Sequence, residues 1–239
     1  MNRQSNSYTI IYAVGLVLVV GLALSAVYQA LKPTQQENIA NDTKSQILKA
    51  ALLSPDKDGS VSQLYDEHIK EAYIVDYNGN VVDKEPSAAF DATLDMAQEI
   101  KKKENERRLP VFVCTTDKGT KYILPVYGQG LWGPIWGYVA FDDNGNTIYG
   151  AYFAHQGETP GLGAEIEKPE FSDQFQGKDM FNHDRFESVK VVKNGQEPAA
   201  GSYVHSISGA TITSQAVGTM LLNSLKPYEK FLERLKSQS

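Results

Sequence analysis

Ser208-Gly209-Ala210-Thr211-Ile212-Thr213-Ser214 is a run of small and hydroxyl-bearing residues set directly before an apolar stretch of helical period. Gly209 and Ala210 let a bulky group approach the main chain closely, and Thr211 offers a hydroxyl where a helix entrance leaves N–H groups unpaired. From Thr213 to Leu235, Ala216, Met220, Leu221 and Leu225 recur at near-helical intervals, which predicts one or two helices with a break at Pro227. A phosphate beside Thr211 would face those free N–H groups. Ser208 or Thr213 acting simply as an N-cap accounts for the same residues, so the run alone leaves both readings open.

Working back toward the amino terminus, two glycine-rich segments stand out: Gly130-Leu131-Trp132-Gly133-Pro134-Ile135-Trp136-Gly137 and Gly157-Glu158-Thr159-Pro160-Gly161-Leu162-Gly163. Read singly, the first is a turn with aromatic core residues and the second a Pro-Gly turn.

From Tyr8 to Leu31 no residue is charged, and Ile10 to Leu24 is almost wholly apolar. About 23 residues at roughly 1.5 Å each reach ~35 Å, enough to cross a hydrocarbon core of about 30 Å. A cleaved signal would have a shorter apolar region and a basic start, whereas only Arg3 precedes this run. A spanning helix over 8–31 is expected, after a short cytoplasmic tail of residues 1–7. Arg3 on one side and Lys32 and Lys44 on the other barely decide orientation. A short tail before a large domain is most simply placed tail-in, with 32–239 extracytoplasmic.

Those 32–239 residues suffice for one domain with a sizeable core. The chain carries a net charge of −6 and no basic stripe, which excludes a nucleic-acid partner. A single cysteine, Cys114, can form no internal disulfide and cannot alone hold an iron–sulfur cluster. Within Val111-Phe112-Val113-Cys114-Thr115 it reads as a buried strand thiol. His68, His155, His183 and His205 are scattered, so no metal site is expected. The loop Asp142-Asp143-Asn144-Gly145-Asn146 has its glycine one position too early for calcium and lacks a closing glutamate. No G-x-G-x-x-G follows a strand, so no nicotinamide pocket is expected.

A helix leaving the membrane is predicted over 36–53, ending before Pro55, and another over 90–107 with a solvated charged end at Lys101-Lys102-Lys103-Glu104. Two hairpins turn at Asn78-Gly79 and Asn144-Gly145. Strands are predicted over 111–116, 121–126 and 185–193, with a short helix over 170–181. Mainly antiparallel sheet with flanking helices, in no regular βαβ repeat, gives an α+β domain.

The 208–214 run resembles the flavinylation signature of membrane proteins that carry FMN attached through its phosphate to a threonine, here Thr211. The family pattern is an acidic residue, two variable positions, Ser or Thr, Gly, Ala, Thr; His205 stands at the acidic position. With both glycine-rich segments and the single apolar helix, the whole chain resembles the C-subunit family of sodium-translocating NADH:quinone oxidoreductases. This resemblance implies a flavoprotein subunit that relays electrons within a six-subunit pump of the bacterial inner membrane, with a periplasmic domain and no active site of its own. It implies covalent FMN, with the FMN-binding portion over about 130–232, installed by a separate FMN transferase using FAD and a divalent metal. Thr211 would carry the flavin on the turn formed by Ser208, Gly209 and Ala210, with Thr213 beside it. Leu131 and Trp132 would pack the isoalloxazine, and Glu158, Thr159, Leu162 and Gly163 would meet its polar edge. His155 stands close to the second loop and would either tune the flavin or serve as an ordinary hydrogen-bonding histidine. The rival readings are the flavin subunit of the ferredoxin-linked electron-transport complex and a non-redox anchored sensor or assembly module. The Trp132 to Trp136 segment favours the quinone-reductase subunit over the former.

Overall fold

The computed structural model describes residues 6–55 and 59–238, which divide into two units, one up to Thr43 and one from Lys44. Of the expected tail over residues 1–7, residues 1–5 with Arg3 lie outside the described residues. The chain begins as one helix, α1 (Asn6–Ala50), of 45 residues. Its most apolar window has a mean hydropathy of 2.7 and is wholly exposed, so the helix is long and apolar enough to cross a membrane. Two helices are expected here, one on each side of Pro33, but α1 runs through that proline without interruption. A proline costs a helix one hydrogen bond and a steric clash, and the helical residues on both sides outweigh that.

The second unit is built on a six-stranded antiparallel sheet. After α2 (Val61–His68), whose N-cap is Ser60, come β1 (Ile69–Val75) and β2 (Val81–Asp83), turned at Asn78-Gly79 as expected. Then follow α3 (Pro86–Leu94), α4 (Met96–Glu99), β3 (Leu109–Thr116), β4 (Gly119–Gln129), β5 (Pro134–Phe141) and β6 (Ile148–His155), in spatial order β2-β1-β3-β4-β5-β6. The helix expected over 90–107 is thus broken: α3 begins at Pro86 and the chain leaves the helical region at Asp95, where φ is −92° and ψ 9°. Beyond β6 lie α5 (Pro169–Ser172), β7 (Phe181–Asn182), β8 (Arg185–Phe186), β9 (Lys190–Val192), β10 (Tyr203–His205), α6 (Thr211–Leu225) and α7 (Glu229–Gln238). The strand expected over 185–193 is two short pieces, because Ser188 adopts φ 62°. The helix expected over 170–181 closes after Ser172 into a 3-10 turn. Pro227 sits in a 3-10 turn between α6 and α7, where the break was expected.

Neighbouring residues on a strand point to opposite faces, and both faces of this sheet are covered. Val111, Leu124, Val139 and Phe141 face α6 and α7 and join a core with Val217, Leu221, Leu225 and Leu232. Phe112, Ile123, Tyr138 and Ala140 face the other way, onto Ile47, Ala50 and Ala51 from the end of α1 and Ala89 and Ala92 of α3. Two-sided burial is why these strands read as continuous apolar runs. Under the segment after β6, Phe153, Phe171 and Phe175 pack at centroid separations of 5.1 to 6.0 Å, each burial contributing about 1.5–3 kcal/mol. That cluster seats the 163–175 turns against β6. The pairings Gln129↔Pro134 and Ile135↔His155 bring the β4–β5 loop and the segment leaving β6 to one end of the sheet.

Candidate functional site

At that end of the sheet lies a cavity of about 290 Å³, lined by Leu131 and Trp132 from the β4–β5 loop, Glu158, Thr159, Leu162 and Gly163 from the segment after β6, and 209–213 at the start of α6. Three segments far apart in sequence therefore meet at one place. Of the residues expected from sequence to contact the flavin or its phosphate, Ser208 is outside the lining, one position upstream and exposed. Ile212, to which the sequence alone assigns no role, also lines it and is 61% exposed. Its place between Thr211 and Thr213, in the first turn of α6, was the available signal.

The turn before α6 adopts its shape for local reasons. Gly209 takes φ 79°, a left-handed conformation that a side chain disfavours. Ala210 is the N-cap residue and provides no side-chain hydrogen bond to the helix. A simple helix cap by Ser208 or Thr213 is therefore not what this run does. The first turn of α6 presents N–H groups without a side-chain cap, together with the positive end of the helix dipole. The three hydroxyls near it are not equivalent. Thr213, 1% exposed, donates to Glu158 Oε2 at 2.7 Å. Ser214, fully buried, donates to Ala210 O at 2.8 Å and accepts from Ile207 N–H at 3.0 Å. Among the described residues, the Thr211 hydroxyl has no hydrogen-bond partner, and its side chain is half-buried at the cavity wall.

Glu158 is a buried carboxylate, 4% exposed. Its Oε1 accepts from the Trp132 amide at 2.8 Å and its Oε2 from Thr213. Burial alone would push its pKa up, but the Thr213 hydroxyl and the amides of Trp132, Gly133 and Leu131 outweigh it and hold the carboxyl below the usual glutamate value. His155 accepts the Glu158 amide on Nδ1 at 3.2 Å, and its Nε2 lies 3.8 Å from Glu167 Oε1; its part here is to hold the loop. Trp136 points away from the cavity, donating its indole N–H to Gln46 Oε1 at 3.0 Å. His205 is outside the lining too. Its amide donates to Gln174 Oε1 at 2.9 Å, its ring meets Tyr203 edge-on at 5.6 Å, and its buried Nδ1 has no partner among the described residues.

The donor set suits a planar, partly polar cofactor with an anionic tail. Leu131, Trp132, Leu162 and Ile212 offer apolar faces, and the α6 entrance offers N–H groups to an anion. The volume is at the low end of the ~300–1,000 Å³ usual for ligand pockets, so a ligand of that size would keep one edge open to solvent.

Residues 130–226 match the FMN-binding domain, which spans all three cavity segments. The C-subunit of the Na(+)-translocating NADH-quinone reductase of Vibrio anguillarum is 34% identical over 229 residues, covering 90% of this chain and 89% of that protein. Its counterpart in Pasteurella multocida is 33% identical over 256 residues, covering 99% and 96%. Among solved structures, the C-subunit of the same reductase from Parabacteroides distasonis superposes with a TM-score of 0.76 at 46% identity, over 84% of this chain and 96% of that one. NqrC of Shewanella oneidensis does so with a TM-score of 0.67 at 26% identity, over 83% and 98%. On this similarity along nearly its whole length, the chain belongs to the C-subunit family of the Na(+)-translocating NADH-quinone reductases.

Proposed function

We propose that this chain is the FMN-carrying electron-transfer subunit of a Na+-translocating NADH:quinone reductase, and that its flavin is attached through the phosphate to Thr211 Oγ1. The observation that carries the assignment of the acceptor is the contrast among hydroxyls: Thr213 and Ser214 are committed to internal hydrogen bonds, and Thr211 is not. A phosphate on Thr211 would stand at the open N–H groups of α6, which favour negative charge. Leu131, Trp132, Leu162 and Ile212 would sandwich the ring system, and Gly209 would let the ribityl phosphate pass close to the main chain.

In this reading the group is transferred from FAD by a separate transferase with a divalent metal. The pyrophosphate bond of FAD breaks, a phosphoester forms on Thr211 Oγ1, AMP leaves, and the hydroxyl proton departs with it or to solvent. The bound flavin supplies electron transfer between a neighbouring iron–sulfur centre and another flavin subunit. The protein's part is to fix the phosphate, exclude water from the ring faces and leave one edge open. Covalent attachment removes the dissociation equilibrium, which matters for a domain facing the periplasm, where a lost cofactor would be diluted. Residues 8–31 of α1 anchor the protein in the inner membrane, with the unit from Lys44 on the periplasmic side and five further subunits completing the complex.

Co-expression with the transferase tests this. The denatured protein is expected to retain flavin absorbance and to weigh more by one FMN less a water, with Thr211→Ala abolishing both and Thr213→Ala retaining them. A colourless chain of unmodified mass would sink the proposal.

A further inference from the structure

We infer that Glu158 is a positioning residue, not a flavin ligand: it staples the β4–β5 loop and the segment after β6 to the first turn of α6. Both of its oxygens are already used. Oε1 takes the Trp132 amide at 2.8 Å, and Oε2 takes the Thr213 hydroxyl at 2.7 Å. The backbone around it is built to admit that carboxylate. A Cβ on Gly130 would come within 2.5 Å of Oε1, and a Cβ on Gly163 within 2.5 Å of Oε2 and 2.7 Å of Thr213 Oγ1. Two glycines on different loops are thus kept bare by the same side chain. Gly130 and Gly133 also close their own turn through an N–H to O bond of 2.8 Å, so the carboxylate docks onto a loop already folded around it.

The staple fixes the distance between Trp132 and Thr211, the two ends of the cavity, before any cofactor arrives. It also keeps the Thr213 hydroxyl occupied, leaving Thr211 as the open acceptor. A charged group held this tightly positions its neighbours through two short charge-assisted hydrogen bonds.

Replacing the carboxylate by an amide separates geometry from charge. In Glu158→Gln the amide oxygen still accepts from Trp132 and the amide nitrogen donates to Thr213 Oγ1, whereas Glu158→Ala removes both arms and Thr213→Val removes one. The cofactor readouts rest on the flavin reading above; exchange of the Trp132 amide does not. Expected are wild-type protection of that amide, flavin loading and visible circular dichroism in Glu158→Gln. Glu158→Ala is expected to lose the protection and to load about tenfold or more slowly, and Glu158→Ala/Thr213→Val to be no worse than Glu158→Ala. If Glu158→Ala does not fold, Thr213→Val carries the comparison, expected to load more slowly and to protect the Trp132 amide less while reaching the same final flavin content. Glu158→Gln as impaired as Glu158→Ala, or Glu158→Ala with protection and loading intact, overturns the inference. A wild-type chain that takes up no flavin defeats the functional reading alone, and the Trp132 exchange then decides the staple.

Discussion

The hydroxyl of Ser214 donates to the carbonyl of Ala210 at 2.8 Å, closing from below the turn whose upper side carries Thr211. The same oxygen accepts from the Ile207 amide, so one fully buried side chain ties both flanks of the turn. Ser214→Ala would leave that amide without its partner in the interior, at a cost of about 1–3 kcal/mol. Chemical denaturation should register that loss, and, on the proposed attachment to Thr211, flavin loading should fall because the turn is no longer held. Unchanged stability would mean the turn is held by Gly209 and the backbone alone.

Trp132 is 69% exposed and Ile212 61% exposed, yet both line the cavity. Their replacement by alanine should therefore alter stability by no more than about 0.5 kcal/mol. The flavin of the loaded protein should respond much more: fluorescence should rise and the visible spectrum should shift as the ring loses its apolar cover. The two variants separate a cofactor contact from a core residue, because a core residue would show the opposite balance.

Glu158 and Glu99 are buried carboxylates whose hydrogen bonds make the fold sensitive to acid. Burial raises each, but the Thr213 hydroxyl and loop amides lower Glu158, and Lys102 with Arg108 lower Glu99, so both end below the ordinary 4.5. A carboxylate depressed in the folded state contributes stability that is complete above its unfolded value and is lost as pH falls through the folded one. Unfolding free energy should accordingly decline below about pH 4.5, and the decline should be shallower in Glu99→Gln. Urea titrations between pH 7 and pH 3 measure it; parallel curves for wild type and variant would exclude Glu99.

The antiparallel sheet was legible because its signals are local: Asn-Gly at both hairpins and β-branched runs between turn residues. The site was legible for a different reason. Its three segments each look like an ordinary turn, and only their joint resemblance to one family assembled them. What escaped reading depends on tertiary context. The continuity of α1 through Pro33, the break at Asp95 and the left-handed Ser188 leave no periodicity to detect. α2 has a Ser-x-x-Gln start at Ser60 but only eight residues, too few for an apolar period to show. The hydrogen bonds of Glu158 were not legible for a physical reason: sequence shows a carboxylate on a loop, but not that each oxygen accepts from a different segment of the protein.

Cys114 illustrates how a residue with reactive chemistry becomes inert. It lies on β3, fully buried, paired in register with Lys121 of β4. Burial pushes its thiol up to about 11, and the nearby Lys121 charge only partly opposes that shift. Since the thiolate is the nucleophile, iodoacetamide at pH 8 should leave the native protein unmodified and alkylate it completely in denaturant. The native rate should track the unfolding equilibrium, so that a destabilising substitution elsewhere in the domain should raise it in proportion to the loss of stability. Cys114→Ala should load flavin as the wild type does, whereas Cys114→Ser should lose about 1–3 kcal/mol by placing a hydroxyl in an apolar layer. Rapid native alkylation would show that the face of the sheet against α3 opens, and would remove the basis for treating this cysteine as structural.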